Sequence, residues 1–358
     1  MKDILIIGPG SHGMAMAKLA DRNGHGIRFL GRDRELIDSI NEQKMISIPN
    51  VGTLRPKKVN AYYIPDDADK AYFGIRPVFI TVPTQAIQEV LEQTKDAMDR
   101  KKQYIFGGTS KGIEIKNGRL PYQVTEDTLD GYKINYGCIS GPGFAIGEMI
   151  GEPTTLNIAA TNPARSRLVI SGISQILTNP PYFNLVPCDD IIGIEVMGAL
   201  SKIGVFIIGM CQALRGKRVT SNNIKILIGP NTESSLVNLL CVECGKIIKH
   251  FGGNPATAFS LAGLGDILLC SSSRRSRNRG AGNIWISKAQ QGKSADQIKR
   301  EITQDGQITV ECFSTAEALM RHFEPLKNEI PFCFNTANVI CGKISWEKGL
   351  ANILKHYS

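Results

Sequence analysis

Gly8, Gly10 and Gly13 follow a short apolar run as G-x-G-x-x-G. Glycines at that spacing can hold a dinucleotide pyrophosphate. The first makes the tight turn, the second lets backbone approach the ligand, and the third lets helix and strand pack closely. The anion then rests on N–H groups at a helix N-terminus that have no partner within the helix. Lys111 follows another strand-like run in "QYIFGGTSKGIE", and Asp266 closes "LAGLGD" shortly before "RRSRNRG", which carries four arginines from Arg274 to Arg279. Planar guanidinium groups suit phosphate or carboxylate recognition. Cys241 and Cys244 read as C-x-x-C, but they sit in an apolar helical pattern with no second pair or histidine nearby, so no metal site is expected.

The elements that position these residues are legible from periodicity. Ile4 to Ile7 form a continuous apolar run, as in a buried parallel strand. "MAMAKLADRNG" has helical spacing and stops at Gly24, and "GIRFL" closes a βαβ unit. An acidic residue usually ends that second strand and bonds the ribose 2′-hydroxyl. Here Gly31 and Arg32 stand there, with Asp33 two places late. An arginine in that place either neutralises the 2′-phosphate of NADP or covers the adenine face of NAD. Further strands run into turns at "RPVFITVPTQAI", with Pro83 just after the strand, at Lys111, and at "GCISGPGFAIGE". Strands alternating with helices predict a doubly wound parallel sheet whose ligands lie outside the strands' carboxyl ends. Lys111 is expected beside that crevice.

From about Asp189 the pattern turns to long helices, "IEVMGALSKIGVFIIGMCQAL" and "LVNLLCVECGKIIKHFGG" among them. The predicted organisation is an α/β dinucleotide-binding Rossmann domain over 1–188 and an all-α substrate domain over 189–358, joined near Val186–Asp190. "LAGLGDILLCSSSRRSRNRGAG" is expected to break into a loop that gathers Asp266 and the arginines.

Bulk properties agree with this outline. The 358 residues are 42% hydrophobic and 21% charged, an ordinary globular balance for two domains. No uncharged apolar stretch reaches the ~18 residues of a membrane span, and no leader precedes the first strand, so no membrane insertion is expected. Nine cysteines without framework spacing suit a reducing cytoplasm. The net charge of +9 fits small anionic ligands. Nucleic acid is not expected, because the basic cluster carries no aromatic residue.

In this order the segments resemble the soluble NAD(P)-dependent glycerol-3-phosphate dehydrogenases over nearly the whole chain. The resemblance rests on "GPGSHGMAMA", "VPTQAI", "SKGIE", "SGPGFAIGE", "EVMGAL", "GPNTESSL", "LAGLGDI", "SRNRGAG" and "VECFSTAEAL". It implies hydride transfer between nicotinamide and dihydroxyacetone phosphate, for phospholipid precursor synthesis, by a cytoplasmic homodimer. NAD or NADP would lie on Gly8, Gly10, Ser11, His12, Gly13, Arg32 and Pro83, and on Lys111, Ala145, Arg277 and Glu311. The small phosphorylated substrate would meet Lys111, Gly141, Ser201 and Cys270, with Arg277 and Asn278 on its phosphate. Lys202, Lys111 and Asp266 would carry the catalysis, since negative charge builds on the carbonyl oxygen and needs a cation or proton donor.

The chain departs from the family pattern in two places. Where the family reads G-A-L-K-N, this chain reads Gly198-Ala199-Leu200-Ser201-Lys202, so serine stands in the catalytic lysine's place. One residue along a helix is about 100° of rotation, so Lys202 is expected to need a distorted helix start to reach the same point. Cys270 replaces a threonine and loses a strong hydroxyl donor. Three readings stand: the family reaction with a relocated lysine, a related dehydrogenase on another small anionic hydroxy or oxo compound, or a nicotinamide-binding homologue without turnover.

Overall fold

Ile4, Leu5, Ile6 and Ile7 have no exposed surface, because the strand they form is covered on both faces. In the computed structural model, which describes residues 3–221, 224–306 and 308–355, they belong to β1 (Asp3–Ile7). The strands that follow in the first half are β2 (Gly26–Gly31), β3 (Ile46–Ile48), β4 (Gly52–Leu54), β5 (Val59–Tyr63), β6 (Pro77–Ile80), β7 (Tyr104–Gly108), β8 (Ile134–Ser140), β9 (Thr154–Ala160) and β10 (Phe183–Pro187). Eight of them make one sheet, ordered β10-β9-β8-β7-β6-β1-β2-β5, while β3 and β4 pair separately. The order reverses direction between β1 and β6, which is where doubly wound sheets open a crevice.

Six strands of the sheet run parallel, as the sequence predicts. β9, however, pairs antiparallel with β8 and parallel with β10, so the last two strands run against the rest. Buried apolar strands look alike in sequence whichever way they run, so this reversal leaves no periodic signal.

The chain forms two compact units, Met1–Lys111 with Pro121–Ile194, and Gly112–Leu120 with Glu195–Ser358. The short segment belongs to the second unit through a hydrogen bond of 2.9 Å from His322 Nε2 to the Ile115 carbonyl. The second unit is dominated by helices but also carries a two-stranded antiparallel pair, β11 (Arg218–Ser221) and β12 (Ile224–Leu227). The unit as a whole is helical, as the sequence predicts, and β-branched Val219, Thr220 and Ile226 are the residues that suit this small pair.

The helix Ile191–Ala213 is long and apolar enough to match a membrane span in composition, yet nearly all of it is buried inside the protein. It crosses the helix Arg277–Ala289 at glycines. A Cβ on Gly209 would drive into the Arg279 carbonyl, and one on Gly282 into the Phe206 carbonyl. Only hydrogen at these positions permits so close a backbone approach. The Phe206 and Trp285 rings then meet edge to face at 5.3 Å. Cys241 and Cys244 are buried on the helix Pro230–His250, where burial pushes the Cys241 thiol up to about 12. Gly252, just past that helix, adopts φ +86°, the left-handed stop that its sequence position predicts.

Gly209→Ala should lower stability by about 1–3 kcal/mol, the usual range for overpacking a close contact. The check is a shift of the urea midpoint at unchanged slope; an unchanged midpoint would show that the crossing has room to spare.

Candidate functional site

The glycine turn is fixed by its neighbours. Gly8 has φ +102°, and a Cβ there would lie 2.8 Å from Val82. A Cβ on Gly13 would run into the Gly8 carbonyl, whereas one on Gly10 meets nothing within 4 Å among the described residues. Thr81 Oγ1, at the end of β6, donates to the carbonyls of Ile7 (3.0 Å) and Gly8 (2.7 Å). The helix Ser11–Arg22 begins with no side-chain cap and no acidic residue in its first turn. Its first N–H groups, at Ser11 and beyond, thus offer an anion site. This cradle fits a dinucleotide pyrophosphate.

Gly31 ends β2 because a Cβ there would lie 2.7 Å from the Pro9 ring of the same turn. Arg32, next in line, is exposed and pairs with Glu89 at 3.1 Å. Asp33 instead caps the following helix, accepting from the Leu36 N–H at 3.0 Å. It is therefore engaged in local structure. Pro83 is exposed just beyond the end of β6.

Lys111 and Gly141 meet at the carboxyl ends of β7 and β8. Lys111 Nζ donates to the Gly141 carbonyl at 3.2 Å, and Ser110 Oγ holds the turn by donating to the Val82 carbonyl at 2.6 Å. Gly141 has φ +150°, and Ala145 is buried at the start of the next short helix. His12, Thr109, Lys111, Ser140, Gly141 and Glu148 border one small cavity. Glu148 and Ser140 carry no role in the sequence reading. The only signal for Glu148 is a single carboxylate inside the glycine-rich apolar run "SGPGFAIGEMI".

In the second unit a buried ion pair forms at the centre of the helix Ile191–Ala213. Lys202 Nζ lies 2.5 Å from Asp266 Oδ2, with side chains 4% and 1% exposed. Ser201 Oγ donates to the same oxygen at 3.1 Å, and Cys270 Sγ lies 3.6 Å from Oδ1 and 3.8 Å from the Lys202 ammonium. Serine and lysine thus converge on one carboxylate from adjacent positions of a regular helix, which the flexible four-carbon lysine stem permits.

Asp266 is aimed by a local irregularity. Leu261–Gly265 forms one π-helical turn, and Asp266 opens the α-helix Asp266–Ser272. A Cβ on Gly263 would strike the Ala258 carbonyl. The expected loop is in fact two helices, the second starting at Arg277 with Ser276 Oγ accepting from the Arg279 N–H at 3.3 Å. Helix caps and a π-turn replace the loop because Ser276 supplies the cap that periodicity alone does not reveal.

Burial of Lys202 favours the neutral amine, but Asp266 outweighs it, aided by Cys270 and Glu311, and the ammonium is held above the ordinary lysine range. Asn278 is buried; its Oδ1 accepts from the Cys312 N–H at 3.0 Å and its Nδ2 donates to Glu311 at 3.4 Å. Arg277 is exposed and donates from Nη1 to the Thr309 carbonyl at 3.3 Å. Among the described residues no group of three or more His, Cys, Asp or Glu side chains is arranged to hold a metal.

Residues 3–166 match the family model described as the NAD-dependent glycerol-3-phosphate dehydrogenase N-terminus, and residues 190–351 match its C-terminus. A glycerol-3-phosphate dehydrogenase [NAD(P)+] of Bacillus anthracis is 30% identical over 337 residues, 92% of this chain and 89% of that protein. One from Staphylococcus carnosus is 26% identical over 98% of this chain and 97% of its own length. The crystal structure of glycerol-3-phosphate dehydrogenase from Coxiella burnetii shares the fold, with a TM-score of 0.79 at 24% identity over 99% of this chain and 98% of that one. With both halves of the chain matched, this protein belongs to the NAD-dependent glycerol-3-phosphate dehydrogenase family.

Proposed function

We propose that this protein is an NAD(P)-dependent oxidoreductase that interconverts sn-glycerol 3-phosphate and dihydroxyacetone phosphate, with Lys202 as its proton donor. The observation that carries the reading is the buried Lys202–Asp266 pair, in a family member whose usual lysine position is occupied by Ser201. A buried ion pair is weak as a stabilising device, since desolvation offsets most of the attraction. Its presence here is better explained by chemistry.

The reduced nicotinamide, when bound, supplies the hydride. Gly8, Gly10, Ser11, His12 and Gly13 would hold the pyrophosphate, with Arg32, Pro83, Lys111, Ala145, Arg277 and Glu311 as further cofactor contacts. As hydride reaches a carbonyl carbon, charge develops on the oxygen. A fixed ammonium stabilises that charge and hands over its proton as the alkoxide forms. Asp266 keeps Lys202 charged and, with Ser201, fixes its position. Arg277 keeps guanidinium donors besides Nη1 for the phosphate. Asn278 serves the same end by holding Glu311 and the start of the next helix. Lys111 and Gly141 act on the substrate side, and Cys270 stands against Asp266. We further infer a cofactor domain over 1–188 and a substrate domain over 189–358. The remaining inferences are a cytoplasmic homodimer associating through its helical half and a product that feeds phospholipid synthesis. The Ser201 and Cys270 departures favour, as a second reading, another small phosphorylated oxo compound.

Oxidation of NADH or NADPH by purified protein with dihydroxyacetone phosphate tests the first reading, and turnover only with a different phosphorylated ketone favours the second. Lys202→Ala should cut turnover at least ~100-fold, the lower range for loss of a positioned acid. Little loss would transfer the role to Lys111.

Because the folded-state pKa of Lys202 is raised, its ammonium persists up to the ordinary lysine range and is lost only as pH rises through the higher folded value. Wild-type activity should therefore show no limb from Lys202 near neutrality. Asp266→Asn leaves burial dominant and should bring in an alkaline loss of kcat at lower pH. It should also lower stability by about 3–5 kcal/mol through an unpaired buried charge. An unchanged pH–rate profile would contradict the pairing role.

Arg32→Ala should raise the KM for NADPH by about tenfold, the loss of one charge-assisted hydrogen bond, and leave that for NADH nearly unchanged. Equal effects on the two would assign Arg32 to the adenine face.

A further inference from the structure

Glu148 lies on the short helix Ala145–Ile150 and is 4% exposed. Its Oε2 is buried without a hydrogen-bond partner among the described residues, and so is the Oγ of Ser140 at the end of β8. Buried polar groups are almost always paired, and two orphans side by side call for an explanation. Both border the cavity that also contains Lys111. Burial pushes the Glu148 carboxyl up to about 7, with the Lys111 charge acting the other way. Gly143 lets the carboxyl lie close, since a Cβ there would be 2.7 Å from Oε1.

The cavity has room for the centre of one water-sized group, about 10 Å³, near the lower limit for a single ordered water. Met16, Ile139 and Leu156 form its apolar wall. A phosphate would not fit and would meet Glu148, and an ammonium would meet Lys111. A hydroxyl suits both sides, because it donates to a carboxyl or serine oxygen and accepts from an ammonium.

We propose that Glu148 and Ser140 receive the terminal, non-phosphorylated hydroxyl of the three-carbon substrate, making Glu148 a specificity-determining residue. This rests on the dihydroxyacetone phosphate reading above. A site built to bond a substrate hydroxyl strongly rejects the analogue that lacks it, because its own buried polar atoms are then left unpaired.

The experiment compares kcat/KM for dihydroxyacetone phosphate with that for hydroxyacetone phosphate, in which a methyl group replaces the hydroxymethyl. The wild type should favour the former at least ~100-fold. Glu148→Leu should bring the ratio within ~10-fold, mainly by losing the hydroxylated substrate. Glu148→Gln keeps an acceptor and should retain most of the preference, and Ser140→Ala should lower the ratio by a smaller factor. Quenching of protein fluorescence by NADH and a thermal melt establish that each variant is folded. If Glu148→Leu fails to fold, the Ser140→Ala ratio decides in its place. An unchanged ratio, or equal loss on both ketones, overturns the proposal. A wild type that reduces both ketones equally well overturns this proposal alone. A wild type that reduces neither overturns the proposed reaction, and the hydroxyl subsite falls with it.

Discussion

A lysine ammonium cannot be buried in a helical core unless something holds its charge, and Asp266 does so from 2.5 Å. Much of the second unit's local architecture serves that contact. The helix Ile191–Ala213 carries Lys202 into the interior. The π-helical turn at Leu261–Gly265 sets the point at which Asp266 enters its own helix. Glycine crossings let the helix Arg277–Ala289 lie against the lysine-bearing helix at backbone distance. Ser201 and Cys270 both touch this carboxylate as well.

Much of this was legible in the sequence. The apolar run Ile4–Ile7 and the three glycines specify a covered strand, a tight turn and a helix, because few other arrangements bury those side chains and use those glycines. Gly252 and the long helical segments were similarly direct. The reversed strands β9 and β10 were not, since the direction of a buried strand leaves no trace in its composition. The partner of Lys202 is not legible in the sequence for a different reason: a helical wheel fixes where Cβ points, but a long side chain reaches across that angle, and its target is a carboxylate 64 residues away. Glu148 was overlooked because an isolated acid in an apolar run looks like a surface residue until its burial is known.

The end of β2 shows how packing and ligand preference become entangled. Gly31 is required by the Pro9 ring of the phosphate turn. Asp33, the nearest acid, is engaged as a helix cap. That leaves Arg32, paired with Glu89 on the surface, as the charged group nearest the position where an acidic residue usually selects NAD. A local packing demand thus accounts for the absence of an acidic residue at the end of this strand.

The most direct measurement of the central claim is a crystal structure of the protein with NADH and a non-reducible ketone phosphate. The Lys202 ammonium should lie within about 3.2 Å of the ketone oxygen, still bonded to Asp266. An ammonium held only by Asp266, with a different donor on that oxygen, would contradict it.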